Sequence, residues 1–326
     1  MTFRNTVRIA PAAAVTALAL ASAGSAATAQ DCDEACLRAT ADAFFDALVA
    51  HDPSMLDYNA NARYTENGME LDFGDALWAT ASAAPERYRI YVPDPETGQI
   101  GMMATMEEFG SPSIMAARLK LERGRISEVE VIVNRQGQTS ISQYAELDTP
   151  EPLFAEIIPP AERMERDALV AIANSYFDAI EEDDGTIAPF SERCARVENG
   201  ALTAGRSNRA DPPSSTAEPG PFGDSGCADQ LSRGSMDFIS SIDPRRIEVV
   251  DETRGLAFGI FRFNHDGDKA QLTLSDGTVV DTPAFALSPS STLIGELFRI
   301  EDGEIVRIEA IGEMVHYGAP TGWRGE

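Results

Sequence analysis

The stretch Ala41-Asp-Ala-Phe-Phe45-Asp46-Ala47-Leu-Val-Ala50, with Thr65-Glu66-Asn67-Gly68 after it, decides the fold, because the chain contains it twice. Laid without gaps at an offset of 132, residues 41–68 fall on residues 173–200 with eight of 28 positions identical. The identities include Phe45-Asp46-Ala47 on Phe177-Asp178-Ala179 and Glu66-Asn67-Gly68 on Glu198-Asn199-Gly200. Further on, Arg89-Ile90-x-Val92-x-Asp94-x-x-x-Gly98 falls on Arg246-Ile247-x-Val249-x-Asp251-x-x-x-Gly255 at offset 157. Residues 121–130 then fall on residues 300–309 at offset 179, so the second copy carries insertions of 25 and 22 residues. Three collinear matches define a tandem repeat of a unit of ~110 residues.

Each unit reads as a helix followed by strands. Residues 39–50 and 169–181 place Phe44, Phe45 and Leu48, and Ile172, Tyr176, Phe177 and Ile180, at helical spacing. Residues 87–92, 100–106, 114–121 and 126–133 read as strands, with 246–250, 256–263, 292–300 and 305–311 as counterparts. Such an order makes an α+β unit whose antiparallel meander curls against the helix around a cavity. Residues 148–160 hold four prolines, which neither propagate a helix nor donate to a ladder. The expected division is therefore a first unit over 30–145, a Pro-rich linker over 146–165 and a second unit over 166–326. The first insertion, 205–226, has four Pro and four Gly and is expected to be a surface loop.

Charge removes whole function classes. The chain has 26 Lys+Arg against 53 Asp+Glu, a net −27, and only Lys120 and Lys269 are lysines. That surface repels phosphate backbones and anionic lipid heads, so no nucleic-acid or membrane partner is expected. The expected partner is a small molecule, with the two units paired inside one chain as a pseudo-dimer. Arg4 and Arg8, the apolar run 10–23 and Ala27-Thr28-Ala29 stand in the order of a Sec-type signal peptide, residues 1–29, cleaved after Ala29. This predicts a periplasmic or secreted protein. In that compartment Cys32 with Cys36, and Cys194 with Cys227, form the economical pairing among three connectivities. Closing the second loop is worth about 3.8 kcal/mol in the chain-entropy model.

Other residues carry a resemblance. They are Thr65-Glu66-Asn67-Gly68, Gly74-Asp75-Ala76-Leu77-Trp78 and Asp94-Pro95-Glu96-Thr97-Gly98 in the first unit. In the second they are Cys194-x-x-x-Glu198-Asn199-Gly200, Val250-Asp251-Glu252-x-x-Gly255, Phe263-Asn264-His265-Asp266-Gly267 and His316-Tyr317-Gly318 before Gly322-Trp323. With these residues each unit resembles the nuclear transport factor 2-like, or SnoaL-like, cone. More narrowly, the chain resembles a secreted two-repeat family of that superfamily catalogued as a domain of unknown function. His316 stands where that family usually has Pro, and His265-Asp266-Gly267 departs from its His-Pro-Gly pattern. The resemblance implies two tandem cystatin-like cones whose sheets pair. It implies no single activity, since the superfamily holds dehydratases, isomerases, cyclases, hydrolases and binders.

The chemistry is narrowed by elimination. No G-x-G-x-x-G, P-loop, H-E-x-x-H or C-x-x-C occurs, and His51, His265 and His316 are dispersed, so neither cofactor nor metal is expected. Gly223-Asp224-Ser225-Gly226 mimics a serine-protease loop without a His base in a matching context. Glu66-Asn67 and Glu198-Asn199 are either structural corners or ligand anchors. Glu130 with Arg118, and Glu309 with Arg307, either face solvent or line the cavity. His265 is either an exposed hairpin residue or a proton carrier at the cavity rim. Trp78, Tyr88, Met102, Met103 and Met106 read as core. The expected function is a cofactor-independent lyase, isomerase or hydrolase seated in the second cone. In it, His265 and Glu309 exchange protons, while Glu198, Asn199, Glu66, Asn67, Arg118 and Glu130 contact the ligand. The second insertion would serve as a lid. The alternative is a non-catalytic carrier of an apolar ligand.

Overall fold

A computed structural model describes residues 32–85, 88–135, 147, 149–205 and 225–323. The signal-like segment, most of the first insertion and part of the Gly223–Gly226 tetrapeptide lie outside the described residues. The first repeat runs α1 (Glu34–Ala50), β1 (Tyr58–Glu66), β2 (Met69–Leu71), α2 (Leu77–Thr80), β3 (Ala81–Ala83) and β4 (Arg89–Asp94). It closes with β5 (Gln99–Glu108), β6 (Ser111–Glu122) and β7 (Arg125–Arg135). The second repeat runs α3 (Arg166–Glu181), β8 (Phe190–Glu198), β9 (Ala201–Ala204), α4 (Cys227–Ser232), β10 (Ser241–Asp251) and β11 (Leu256–His265). A hairpin of β12 (Gln271–Thr273) and β13 (Val279–Asp281) precedes β14 (Ser290–Glu301) and β15 (Glu304–His316).

The helices are built alike. Leu37, Ala41, Phe44, Phe45 and Leu48 form the buried face of α1, and Leu169, Ala173, Tyr176, Phe177 and Ile180 the buried face of α3. Each residue of the second set stands 132 after its partner in the first. Asp33 caps α1 by accepting a hydrogen bond from Cys36 N at 2.9 Å. Both sheets carry the expected antiparallel meander, with one addition. The first strand of each repeat pairs in parallel with the last, β1 with β7 and β8 with β15.

The Asn-Gly corners make that pairing possible. Asn67 and Asn199 take positive φ, 48° and 47°, each ahead of a positive-φ glycine. The Asn67 amide donates to Val133 O at 3.1 Å and accepts from Val133 N at 2.8 Å. Asn199 makes the same pair with Gly312, at 3.2 and 3.0 Å. Both side chains thus continue the ladder past the strand end, which leaves them no ligand-binding role. The corner reading wins over the anchor reading for both.

Two helix-on-sheet cores and a third layer hold the chain together. One core gathers Phe44, Trp78, Val129, Val131 and Val133, and the other gathers Phe177, Phe261, Phe298, Ile308 and Ala310. Between the backs of the two sheets lies a seam of Ile90, Val92 and Ile132 against Val249, Phe258, Leu293 and Leu297. The backbones approach so closely there that a Cβ on Gly295 would fall 2.3 Å from Ala116 Cβ. This is the pseudo-dimer. It corrects one expectation: Glu130 and Glu309 neither face solvent nor line a cone, because the alternation that points their valine and isoleucine neighbours inward points them into the seam.

The linker follows the same seam. Phe154 is buried in it, Glu151 pairs with Arg307, Arg299 Nη1 donates to Glu156 O at 3.0 Å, and Ile158 N donates to Thr253 O at 2.9 Å. Disulfides join Cys32 to Cys36 and Cys194 to Cys227. No helix among the described residues is long and apolar enough to cross a membrane.

Candidate functional site

The two cones differ in what fills them. In the first, the Trp78 indole is wholly buried and meets Phe44 edge-on at 5.6 Å and Phe73 at 6.2 Å, with Phe73 also packed on Tyr58 and Tyr64. Glu66 is spent: it accepts from Tyr64 OH at 2.6 Å, Leu77 N at 2.8 Å and Arg135 at 2.8 Å. It is an internal brace, not a ligand anchor.

In the second cone a cavity of about 380 Å³ opens, lined by Tyr176, Arg196, Glu198, Phe238, His265 and Phe285 among others. Leu272, Val280 and Phe285 of the second insertion form one wall, where the lid was expected. The lining is largely apolar, and two substitutions relative to the first cone add polar groups to it: Tyr176 for Phe44 and Arg196 for Tyr64. Arg196 is buried and donates from Nε to Tyr176 OH at 2.8 Å, and from Nη1 to Glu198 at 2.8 Å and Thr203 at 3.0 Å.

Beneath this cluster lies Glu296, fully buried, 3.8 Å from Arg196 Nε. It pairs across the ladder with Gly259 and Ala310, whose small size leaves it room. Burial pushes its carboxyl up to about 7, the neighbouring Glu198 adds to the rise, and Arg196 opposes it. At the rim, His265 ends β11 with 2% of its surface exposed, its ring stacked on Phe238 at 5.7 Å and edge-on to Phe285 at 5.5 Å. Burial lowers its pKa to about 4, so the imidazole is neutral at ordinary pH, and Nδ1 has no hydrogen-bond partner among the described residues. The exposed-hairpin alternative therefore fails for His265.

Of the residues singled out from the sequence, the cavity gathers Glu198 and His265. It does not gather Glu309, whose carboxylate lies 3.4 Å from Tyr88 OH across the seam. Nor does it gather Arg118 and Glu130, a 3.1 Å ion pair in the same seam. Tyr176, Arg196 and Glu296 were missed. Their signal was present: a lone Glu at an inward position of the apolar run Leu293-Ile-Gly-Glu-Leu-Phe298, and an Arg where the other copy has Tyr.

The two shifted groups act oppositely on stability. Between its ordinary value of 4.5 and about 7, Glu296 keeps its proton when folded and loses it when unfolded. The unfolded chain then binds fewer protons, so this term falls as pH rises through that window. Between about 4 and 6.5, His265 is protonated only when unfolded, so its term rises with pH. Glu296→Gln is accordingly expected to leave the protein about 3 kcal/mol more stable than the parent near pH 8, with the difference shrinking towards about pH 5. Urea unfolding at both pH values checks it, and a pH-independent difference would contradict the assignment.

A family model described as a domain of unknown function, DUF8021, matches residues 30–133 and 162–312. No curated protein matches. Solved structures similar to this chain include a proposed polyketide cyclase from Silicibacter sp. tm1040, at 15% identity and TM-score 0.29, covering 46% of this chain and 92% of that one. Another is a proposed isomerase from Bacillus subtilis, at 12% identity and TM-score 0.27, covering 45% and 87%. A third is a proposed polyketide cyclase from Xanthomonas campestris pv. campestris, at 16% identity and TM-score 0.27, covering 45% and 90%. Values this low transfer no activity.

Proposed function

The chain belongs to the DUF8021 family, and from that premise we propose that it is an exported protein whose second cone takes up one small, largely apolar molecule and transforms it by proton transfer without a cofactor. The observation that carries this reading is the contrast between a first cone plugged by Trp78 and a second cone left hollow, its largely apolar lining broken by Arg196, Glu198 and His265. An apolar pocket with a few convergent polar groups is the usual form of a small-molecule site. The ligand's apolar body fits against Phe238, Phe263, Phe285 and Ile294, and its polar group meets His265, Glu198 and Arg196. Glu198 is the proton acceptor, since its carboxylate reaches the cavity while Arg196 holds it in place. His265, neutral and with an unspent Nδ1, orients the polar group by a hydrogen bond. Glu296, behind Arg196, can hold or release a proton near neutral pH.

Carriage without turnover is the second reading. It is favoured by the ion pairing of Glu198 and by a His265 held neutral, an arrangement that also suits recognition alone. Thermal-shift screening of small apolar carbonyl and hydroxyl compounds identifies a ligand, after which the variants separate the readings. For an enzyme, Glu198→Gln is expected to lower turnover by about 10²–10⁴-fold with binding retained. For a carrier, His265→Ala and Glu198→Gln weaken binding and no turnover exists to lose. Glu309→Gln is expected to leave binding unchanged. Ligand binding indifferent to both His265→Ala and Glu198→Gln would remove the second cone from consideration.

A further inference from the structure

At equivalent ladder positions the two repeats carry different chemistry. In the first, Glu66 and Glu108 end β1 and β5, and Arg135, at the end of β7, bridges them. Its Nη2 donates to both carboxylates at 2.8 Å and its Nε to Glu108 at 2.8 Å, while Thr80 Oγ1 adds a bond to Glu108 at 2.6 Å. Both acceptors are met from within the chain.

In the second repeat the counterparts of Glu66, Glu108 and Arg135 are Glu198, His265 and Met314, at offsets of 132, 157 and 179. The ladders agree with that correspondence. Glu108 pairs with Ser111 as His265 does with Ser290, and Arg135 pairs with Ser113 as Met314 does with Thr292. Met314 removes the bridging cation. Glu198 keeps an ionic partner through Arg196, which stands where the first repeat has Tyr64. His265 receives none.

The state of the imidazole decides what it lacks. It gives one N–H to the backbone carbonyl of Ser290, its neighbour across the ladder, and burial holds it neutral. Nδ1 has no partner among the described residues, so it is the other nitrogen and carries a lone pair. It can accept a hydrogen bond and cannot give one. An unmet buried acceptor costs free energy, and a donor on a ligand in the cavity that His265 lines would remove that cost.

Charge selects the kind of donor. Glu198 and Arg196 already form a balanced pair, and burial holds the Glu296 carboxyl beneath them protonated up to about pH 7. Asp281, the remaining charged residue of the lining, sits on the exposed hairpin and accepts from Gln271 at 2.9 Å. An ammonium would bring an unbalanced charge against Phe238, Phe263 and Phe285, whereas a hydroxyl brings the donor alone.

We propose that the second cone takes an apolar ligand bearing a hydroxyl group, and that this hydroxyl donates its hydrogen to Nδ1 of His265, the part that Arg135 plays for Glu108 in the first cone. The inference rests on the second cone being the ligand site and narrows the ligand to apolar alcohols and phenols. A ketone or ester of the same shape offers acceptors to an acceptor and leaves Nδ1 unmet.

The probes are three compounds of one carbon skeleton, menthol, menthone and menthylamine, titrated calorimetrically into the full exported chain. The alcohol is expected to bind at least about tenfold more tightly than the ketone or the amine. In His265→Phe, which keeps an aromatic ring beside Phe238 and Phe285, the alcohol-to-ketone ratio is expected to fall to about one with the ketone's affinity undiminished. Ile294→Trp, which fills the cavity, should abolish binding of all three. Nitrogen NMR of the His265 ring in the parent protein reads the tautomer without any substitution, and Nδ1 is expected to be unprotonated. A ketone or amine that binds as tightly as the alcohol and is expelled by Ile294→Trp would keep the cone as the ligand site and overturn the hydroxyl assignment. So would a preference that survives His265→Phe, or a protonated Nδ1. Binding of none of the three, or binding that a folded Ile294→Trp leaves untouched, would overturn the cone reading along with it.

Discussion

Glu130→Ala is expected to destabilise the chain by about 3–5 kcal/mol, with the loss appearing as a lower urea midpoint at an unchanged slope. Glu130 is 1% exposed and is the anion shared by Arg118 and Arg246, one from each repeat. Removing it leaves two guanidinium groups facing each other inside the seam, with only Glu128 and Glu248 to offset them at its edge. The expense lies in the uncompensated charges rather than in the lost pair. A second substitution that also removes one cation, Glu130→Leu with Arg246→Met, should therefore recover most of the loss. A single-variant loss under about 1 kcal/mol would mean that water reaches the cluster and screens it. Cone-ligand binding should be unaffected in either variant that remains folded.

Trp78→Ala is expected to cost about 3–5 kcal/mol as well, by a different mechanism. The indole is wholly buried between Phe44 and Phe73, and its removal opens a void that these rings cannot close without leaving their rotamers. For a chain of this size the melting temperature should fall by roughly 10 °C. The void would be apolar, so free indole should raise the melting temperature of Trp78→Ala and leave the parent protein's unchanged. If indole stabilises both equally, it is entering the second cone, and the first cone has collapsed around the missing ring.

Much of the fold was legible because the repeat concentrates its identities where the backbone tolerates little else. Glu66-Asn67-Gly68 and Glu198-Asn199-Gly200 recur since each turn needs positive φ and a side chain that can imitate a strand residue. The inward faces were legible from period two. What alternation leaves open is the cover on the opposite face. Val129, Val131 and Val133 announce a packed side, but nothing local says that Glu130 faces a second sheet rather than water. From alternation alone, Glu130 and Glu309 therefore read as facing solvent or a cavity. The candidate site was half legible for a similar reason. His265 and Glu198 end strands just before recognisable turns, whereas Arg196, Tyr176 and Glu296 become polar neighbours only when α3, β8 and β14 meet.

Fusing the two cones has a consequence for how such a protein can vary. In a homodimer every substitution appears on both sides of the axis, so a plugged cone would be plugged twice and a filled groove filled twice. Here the linker crosses one end of the seam only, as Glu151 and Phe154 show, and each copy is encoded separately. Trp78 can make one cone a rigid prop while the other stays hollow. The division of labour is heritable position by position. A change that harms the prop is read out as instability, and one that alters the hollow cone as altered ligand preference. Libraries of single substitutions should therefore separate into two nearly independent classes along the chain.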